Sequence, residues 1–559
     1  MATPVGRVAL DELRDRAEAW LADDPDPADR DELAALLGRL PDPAAAAELA
    51  DRFAAPLAFG TAGLRGALRA GPNGMNVAVV RAAAAGLVGW LAARGAGGPL
   101  VIGYDARHRS QRFAEETARV ATGAGRPALV LPRPLPTPVL AYAVRALGAA
   151  AGVMVTASHN PPQDNGYKVY LGPALGGELG AGAQIAPPVD AEIEAAIRDV
   201  GTLSAVPLGP PGEVLDESVV RSYVDHAVVV VDRDGPRDLL VAYTPLHGVG
   251  GEVLAQAMAG AGFAAPAVVA EQAAPDPDFP TVTFPNPEEP GAMDRLVDLA
   301  RRIGADLAVA NDPDGDRCAV AVPDPAAPGG WRMLRGDELG VLLADHLMRR
   351  GVRGRYATTV VSSTLLRTLC TARRLPYGET LTGFKWIVRA GADLAYGYEE
   401  ALGYCVAPGH VRDKDGITAT LLVCELAAGL RAELRSLPDR LDELAAEFGV
   451  HLTDQLSVRV DDLAEIGQAM EHIRSRPPAA LLDEPVVAIS DRLPEADVFA
   501  LRTQSARVVV RPSGTEPKLK AYLEVVEPVP DGDVTAARER AAASVRALRT
   551  ETAAALGIW

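Results

Sequence analysis

The stretch PLVIGYDARHRSQRFAEETARVATGAGRPALVL, residues 99–131, decides the fold class. Pro99 to Tyr104 is a short apolar run with β-branched residues and reads as a buried strand. Gln111 to Thr122 has helical spacing, and after a Gly/Pro-containing turn Ala128 to Leu131 reads as the next strand. Strand, helix and strand in succession are the signature of an α/β domain with a mostly parallel sheet under covering helices.

The same alternation extends in both directions. Upstream, Val77 to Ala93 reads as a helix, and Asp11 to Arg52, with Leu and Ala between Asp and Arg, as a helical lead-in. Downstream, a Pro/Gly-rich break at 207–212 precedes a helix beginning near Ser218. A second α/β unit then runs through strands at Leu239 to Tyr243, Asp306 to Ala310 and Cys318 to Val322. A third opens with the helix Asp337 to Arg349 and the strand Ala357 to Val361. The segments Tyr104-Asp105-Ala106-Arg107, Tyr243-Thr244-Pro245 and Val361-Ser362-Ser363-Thr364 each follow a strand and precede a helix, a weak internal repeat. From about Gly449, strands at Leu456 to Val460, Ala506 to Val510 and Ala521 to Val526, with a helix from Val534 to Leu556, describe a smaller α+β domain. A length of 559 residues supports several cores. The expected domains are 1–212, 213–328, 329–445 and 446–559.

Composition excludes several classes. Apolar residues make up 48% of the chain but occur in short segments, none long enough to cross a bilayer. The first residues lack the layout of a secretion signal, so the cytoplasm is the expected location. Four cysteines without a C-x-x-C pair describe neither a disulfide framework nor a zinc site. A net charge of −19 argues against nucleic acid or an anionic membrane as partner, and an anionic substrate would need a local positive island. Of the 55 basic residues, five are lysine (Lys168, Lys385, Lys414, Lys518, Lys520) and the other 50 arginine. A lysine kept in such a chain marks a place where a compact ammonium with an adjustable pKa is needed.

Two stretches carry chemistry. Thr156-Ala157-Ser158-His159-Asn160-Pro161 presents Ser158 at the end of the apolar run Ala150 to Val155, as a covalent nucleophile requires. Asp312-Pro313-Asp314-Gly315-Asp316-Arg317 sets three carboxylates on alternate positions, a spacing that lets one loop close on a hard cation. The twelfth position from Asp312 is Pro323, which rules out an EF-hand. Together they point to phosphoryl transfer. No Gly-Lys dipeptide occurs, so there is no P-loop and a kinase is disfavoured.

With Gly397-Tyr398-Glu399-Glu400 and Arg511-Pro512-Ser513-Gly514-Thr515-Glu516-Pro517-Lys518, these motifs stand in the order of the α-D-phosphohexomutase superfamily, which the chain resembles over essentially its whole length. Segments 59–66, 165–168, 285–288 and 382–386 also look like family segments. The branch most resembled is the bacterial phosphoglucomutase group that also resembles phosphopentomutases. The resemblance implies four domains around a central cleft, three α/β and a smaller C-terminal α+β domain, each giving one loop to the site.

It further implies that Ser158 carries a phosphoryl group, with His159 donating to its oxygens. Asp312, Asp314 and Asp316 would hold Mg²⁺, the phosphoserine at 158 completing the shell, and Arg317 would face the phosphoryl. Glu399 and Glu400 would read sugar hydroxyls; Gly383 and Lys385 would assist binding. Arg511, Ser513, Gly514, Thr515 and Lys518 would grip the non-reacting phosphate, with Lys520 on the following strand facing away. Lys168, with Arg65, would be the acid/base, and Lys414 either a ligand-side or a structural lysine. The activity implied is interconversion of hexose 1-phosphate and 6-phosphate (glucose or mannose) through a bisphosphate such as glucose 1,6-bisphosphate, which also serves as activator. The partners are small sugar phosphates, and the enzyme is expected as monomer or dimer. Many relatives have serine where this chain has Ala401, which leaves a phosphopentose substrate open. Two further readings compete: a serine-based metallophosphatase, which would usually add His-rich zinc ligands, and an inactive sugar-phosphate sensor, against which the intact Ser158 and aspartates count.

Overall fold

The computed structural model describes residues 7–60, 63–460, 462–513 and 518–557. The chain forms two compact units, Met1–Arg332 with Tyr404–Glu425, and Met333–Gly403 with Leu426–Trp559. Within the stretch expected as a third domain, Tyr404–Glu425 therefore packs with the first unit.

The lead-in forms three helices, α1 (Arg7–Asp23), α2 (Pro27–Gly38) and α3 (Pro43–Arg52). The last two start with an Asp-Pro pair: Asp26 and Asp42 accept bonds from backbone N–H groups of the first turn, and proline follows where no N–H partner is needed. Leu13, Leu33, Leu36, Leu49 and Phe53 bury the shared apolar stripe.

The first sheet holds β1 (Leu64–Ala67), β2 (Leu100–Tyr104), β3 (Ala128–Val130), β4 (Ala151–Val155), β5 (Asp164–Leu171) and β6 (Glu213–Val214), in the order β1-β5-β4-β2-β3-β6. Strands β3, β2 and β4 are parallel and β5 returns antiparallel to β4. All five residues of both β2 and β4 are buried, which is why they read as continuous apolar runs. Helices α4 (Val77–Ala93), α5 (Ser110–Gly123) and α6 (Thr137–Ala146) cover the sheet. The second sheet joins β7 (Val241–Thr244), β8 (Ala267–Val268), β9 (Leu307–Ala310), β10 (Ala319–Pro323) and β11 (Trp331–Met333) in the order β11-β10-β9-β7-β8. The third joins β12 (Arg355–Thr359), β13 (Tyr377–Thr380), β14 (Leu394–Glu399) and β15 (Gly403–Cys405) in the order β13-β12-β14-β15.

The suspected repeat is a repeat of topology. Counting from β2, β7 and β12 as the first strand of each unit, that strand is flanked by the second and third, and the fourth lies beyond the third. The segments 156–163, 311–318 and 400–402 all join a third strand to a fourth, so three motifs far apart in sequence occupy one topological position.

The last domain pairs β16 (Val450–Arg459) with β22 (Lys518–Glu527), followed by β21 (Ala506–Pro512), β20 (Phe499–Arg502) and β19 (Ala488–Asp491). A short hairpin, β17 (Ala480–Leu481) and β18 (Glu484–Pro485), stands apart. Helices Leu463–Ser475 and Val534–Ala555 contribute Met470, Ile473, Val545 and Leu548 to the core on one face of the sheet. On the other face Val509 and Tyr522 pack on Val360 and Val361. The strand expected to end at Val361 stops at Thr359, because the chain turns there to bring both valines onto that face.

Candidate active site

Where the buried strand β4 ends, the chain turns and places Ser158 at φ 53°, in the left-handed region, with only 2% of its surface exposed. A non-glycine residue there costs roughly 1–3 kcal/mol, so neighbours must hold it. Thr156 Oγ1 accepts from the Ser158 N–H (2.9 Å). From beneath, the buried Arg107 guanidinium donates to the carbonyls of Ser158 (2.6 Å), Asn160 (2.5 Å), Pro161 (2.8 Å) and Asp164 (3.2 Å). Charged hydrogen bonds contribute about 1.5–3 kcal/mol each, enough to offset the strain. Gly166 lets β5 pass close by, since a Cβ there would lie 2.5 Å from the Thr156 carbonyl oxygen.

The Ser158 hydroxyl donates to Asp312 Oδ2 (2.7 Å) and lies 3.1 Å from His159 Nδ1. Asp312, Asp314 and Asp316 are wholly buried, and one carboxylate oxygen of each lies within 4.8 Å of the others. Gly315 takes the tight bend at φ 67°. Asn311 braces the loop, accepting from Tyr243 Oη (2.8 Å) and donating to the Arg317 carbonyl (2.6 Å). Thr137, opening α6, donates through its N–H to the Asp314 carbonyl (2.9 Å) and through its hydroxyl to Asp314 Oδ2 (2.6 Å).

Lys168 on β5 is 1% exposed, with Nζ 2.7 Å from Asp314 Oδ2 and 3.1 Å from Asp316 Oδ2. Lys414 Nζ lies 3.2 Å from Asp316 Oδ2, so the lysine left open between two roles belongs to this cluster. Arg65 on β1 donates to Asn160 Oδ1 (3.1 Å), and its buried Nε has no hydrogen-bond partner. Arg317 Nη1 lies 3.5 Å from Glu288.

Electrostatics separates these groups. Burial raises the Asp312 carboxyl well above the usual range, and the charges of Asp314 and Asp316 push the same way. Burial would also raise Asp314, but the Lys168 ammonium and hydrogen bonds from Asp312, Lys168 and Thr137 hold it well below. Burial would lower Lys168, yet the two carboxylates outweigh it and keep it protonated. His159 is held well below 6.5 by burial and by Arg317 and Arg65, and so is neutral. Asp314 Oδ1 and Asp316 Oδ1 are buried without hydrogen-bond partners. Three converging carboxylates, two of them with an oxygen left unbonded, fit a divalent cation of the oxygen-loving class.

In the second unit Glu400 turns inward: Oε2 accepts from Thr359 Oγ1 (3.2 Å) and Ser362 Oγ (3.1 Å). Glu399 ends β14, half-buried. Gly336 allows the chain to approach, since a Cβ there would lie 1.9 Å from the Glu400 carbonyl oxygen. Lys385 lies on the short helix Phe384–Ile387, which Gly383 opens at φ 107°. Arg507 donates to the Ser362 carbonyl, and Glu524 Oε1 accepts from Ser363 Oγ (2.7 Å) and the Thr364 N–H (2.7 Å), linking β21 and β22 to the loop that holds Glu400.

The hairpin between β21 and β22 carries Arg511, Ser513 and Lys518, with the Ser513 N–H bonded to the Lys518 carbonyl (2.8 Å). Gly514 and Thr515 lie outside the described residues. The expectation that Lys520 faces away is corrected: Lys520 stands directly opposite Arg511. Opposed residues of an antiparallel pair share a face, as do alternate residues of one strand, so Arg511, Lys518 and Lys520 project to one side.

The structure thus gathers Ser158, His159, Arg65, Lys168, the three aspartates and Arg317 in the first unit, while Gly383, Lys385, Glu399, Glu400, Arg511, Ser513 and Lys518, expected to meet sugar and phosphate, lie in the second. Sequence reasoning passed over Arg107, Thr137, Asn311, Thr359 and Ser362. Of these Arg107 and Ser362 gave a signal, in the repeated strand-to-helix opening.

Four family models match in chain order: phosphoglucomutase/phosphomannomutase alpha/beta/alpha domain I over residues 56–203, domain II over 221–327, domain III over 335–448 and the C-terminal domain over 456–542. A probable phosphomannomutase of Haemophilus influenzae is 44% identical over 459 residues, 81% of this chain and 93% of that protein. A phosphopentomutase of Pongo abelii is 32% identical over 553 residues, 87% of each chain. Among solved structures, a putative phosphomannomutase from Thermus thermophilus superposes with a TM-score of 0.68 at 27% identity, covering 88% of this chain and 99% of that one.

Proposed function

Because the chain belongs to the phosphoglucomutase/phosphomannomutase family, we propose that it interconverts hexose 1-phosphate and hexose 6-phosphate, glucose or mannose being the sugar, through a phosphoserine at position 158. One observation carries the reading: the Ser158 hydroxyl sits 2.7 Å from Asp312, inside a buried aspartate cluster that fits a cation. Mg²⁺, held by Asp312, Asp314 and Asp316, would neutralise charge on the phosphoryl oxygens.

Phosphoserine gives its phosphoryl to the free sugar hydroxyl: the bond from phosphorus to Oγ breaks, the bond to the sugar oxygen forms, and the hydroxyl proton leaves. The bisphosphate turns end for end, and Oγ takes the other phosphoryl back. Lys168, kept protonated by Asp314 and Asp316, gives its proton to the departing Oγ and takes up the proton of the attacking sugar hydroxyl, so that the return step runs the same two transfers in reverse. Arg65 and Arg317 supply permanent positive charge, and neutral His159 donates a hydrogen bond without competing for the proton. Glu399 reads sugar hydroxyls while Glu400, bonded to Thr359 and Ser362, fixes the loop. Arg511, Ser513 and Lys518, with Gly514 and Thr515, hold the distal phosphate, and Lys520 adds charge on the same face. A trace of sugar bisphosphate would prime Ser158. The cytoplasm, where sugar phosphates occur, is the proposed location; among the described residues no helix is long and apolar enough to cross a membrane.

A second reading, a phosphopentomutase, is favoured by Ala401, which removes a hydroxyl from the sugar loop. Parallel initial rates on glucose 1-phosphate, mannose 1-phosphate and ribose 1-phosphate, with Mg²⁺ and trace bisphosphate, test both by following product and free phosphate. Isomerisation of a hexose without phosphate release supports the first reading, and fastest turnover of ribose 1-phosphate the second. Phosphate release points to a phosphatase, and no turnover to a sensor.

A further inference from the structure

The three N-terminal helices end at Arg52, before residue 56 where the family models begin, and contribute none of the site residues described above. Yet α2 is fastened to the site. Asp29, 2% exposed, takes Arg109 as a two-pronged pair, with Nη1 to Oδ1 at 2.7 Å and Nη2 to Oδ2 at 2.9 Å. Asp26 adds a third bond from Nη2 at 3.0 Å. Arg109 opens α5 at φ 64°, a left-handed position that ordinarily selects glycine or asparagine, and it makes no side-chain cap. The ion pairs supply the reason for an arginine there.

Arg109 belongs to a turn that is joined on its other side to the Ser158 loop. Two residues back, Arg107 binds three carbonyls of that loop and the first carbonyl of β5. The His108 carbonyl and Ser110 Oγ both accept from Asn165 Nδ2 (2.9 Å each), and Ser110 Oγ donates to Asp105 Oδ1 (2.6 Å). Asp23 attaches the lead-in a second time, accepting from the N–H groups of Leu203 (2.7 Å) and Ser204 (3.2 Å). The turn at 105–110 therefore stands between α2 and the serine loop, bonded to each through different side chains.

We propose that Asp26 and Asp29 are positioning residues for phosphoryl transfer: through Arg109 they fix the 105–110 turn, so that Arg107 keeps Ser158 in its left-handed conformation against Asp312. The inference rests on reading Ser158 as the phosphoryl carrier. A merely structural role for the lead-in would leave the serine loop unaffected when the ion pairs are removed.

The test is the double variant Asp26→Asn, Asp29→Asn, in which asparagine keeps the cap on the Ala28 N–H but loses the charge. Two readouts are taken in the full-length enzyme: kcat and KM on glucose 1-phosphate, and hydrogen exchange of segments 105–110 and 156–166. The expected result is kcat lowered about ten- to a hundredfold with KM within about twofold, and faster exchange in both segments. Unchanged kcat, or faster exchange confined to α1–α3, overturns the proposal. If the double variant does not fold, Asp29→Asn alone is read by the same two measures. If the wild-type enzyme shows no mutase activity the functional reading fails, and the exchange arm still decides whether the two aspartates hold the loop.

Discussion

Ser158 and Lys168 are the two residues whose surroundings make the sharpest demands. Ser158→Ala removes the Oγ proposed to carry the phosphoryl while leaving the Arg107 clamp on its backbone. Isomerisation should disappear while equilibrium binding of glucose 6-phosphate stays within about tenfold, since the proposed phosphate and sugar loops are untouched; turnover by this variant would end the covalent mechanism. Lys168→Met leaves Asp314 and Asp316 without their nearest ammonium in a buried site. Removing one partner of a buried pair costs about 3–5 kcal/mol. The urea midpoint should fall accordingly, and added Mg²⁺ should restore part of it by supplying the missing charge. An unshifted midpoint would show that the cluster is not short of positive charge. At this scale the serine and the three aspartates were legible because each motif is a local run. Arg107 was not, because it binds carbonyls 51 to 57 positions away. Lys520 was aimed wrongly because its direction follows from the pairing of β21 with β22, which one strand alone cannot give.

Elements were legible where burial is one-sided or complete. The helix read over Val77 to Ala93 has those bounds, and β2 differs from its reading by one residue at its start. Hidden from local reading was the role of one position repeated in three sheets, the link from third to fourth strand, because strand order is a long-range property. Beside the link in the third sheet, the first turn of the helix Gly336–Arg349 holds β14 and the segment after β12: Asp337 Oδ1 accepts from the Ser363 N–H (2.7 Å) and from Tyr398 Oη (3.1 Å). Burial pushes Asp337 up to about 7, with Glu400 and Glu524 adding to the effect. Glu524 nearby is held down to about 2, because hydrogen bonding from His451 and the Arg507 charge overcome its burial. The signs differ. Asp337 binds its proton more tightly folded than unfolded, so its contribution is fully present below about pH 4 and is lost as pH rises through 7. Glu524 contributes above about pH 4.5 and loses its contribution as pH falls towards 2. Between pH 4.5 and 8 Asp337 acts and Glu524 does not, and stability of the second unit should fall by about 3 kcal/mol. Urea midpoints across that range should slope in the wild type and be flatter in Asp337→Asn. Equal slopes would mean that Asp337 ionises as an ordinary carboxyl.

Over the whole molecule, a chain of net charge −19 concentrates three of its aspartates in one buried cluster and sets two of its five lysines against them. The scarcity of lysine was visible in composition, and Lys168 and Lys414 show why composition was informative: an ammonium fits between carboxylates where a guanidinium is too broad. Which compact unit each segment joins was not visible, since Tyr404–Glu425 lies within the third stretch of sequence but packs with the first unit and brings Lys414 with it. A cation bound at the triad stabilises only the unit that contains it. At a hundred times its dissociation constant it adds about 2.7 kcal/mol, which for a unit of this size raises the thermal midpoint by about 3–4 °C. Calorimetry with and without Mg²⁺ should therefore move the transition of the unit holding Asp312, Asp314 and Asp316 and leave the other in place. In Asp314→Asn the shift should shrink or vanish, because one charged ligand is gone. A Mg²⁺ shift of equal size in that variant would place the cation elsewhere, and a shift of both transitions would show that the two units unfold together.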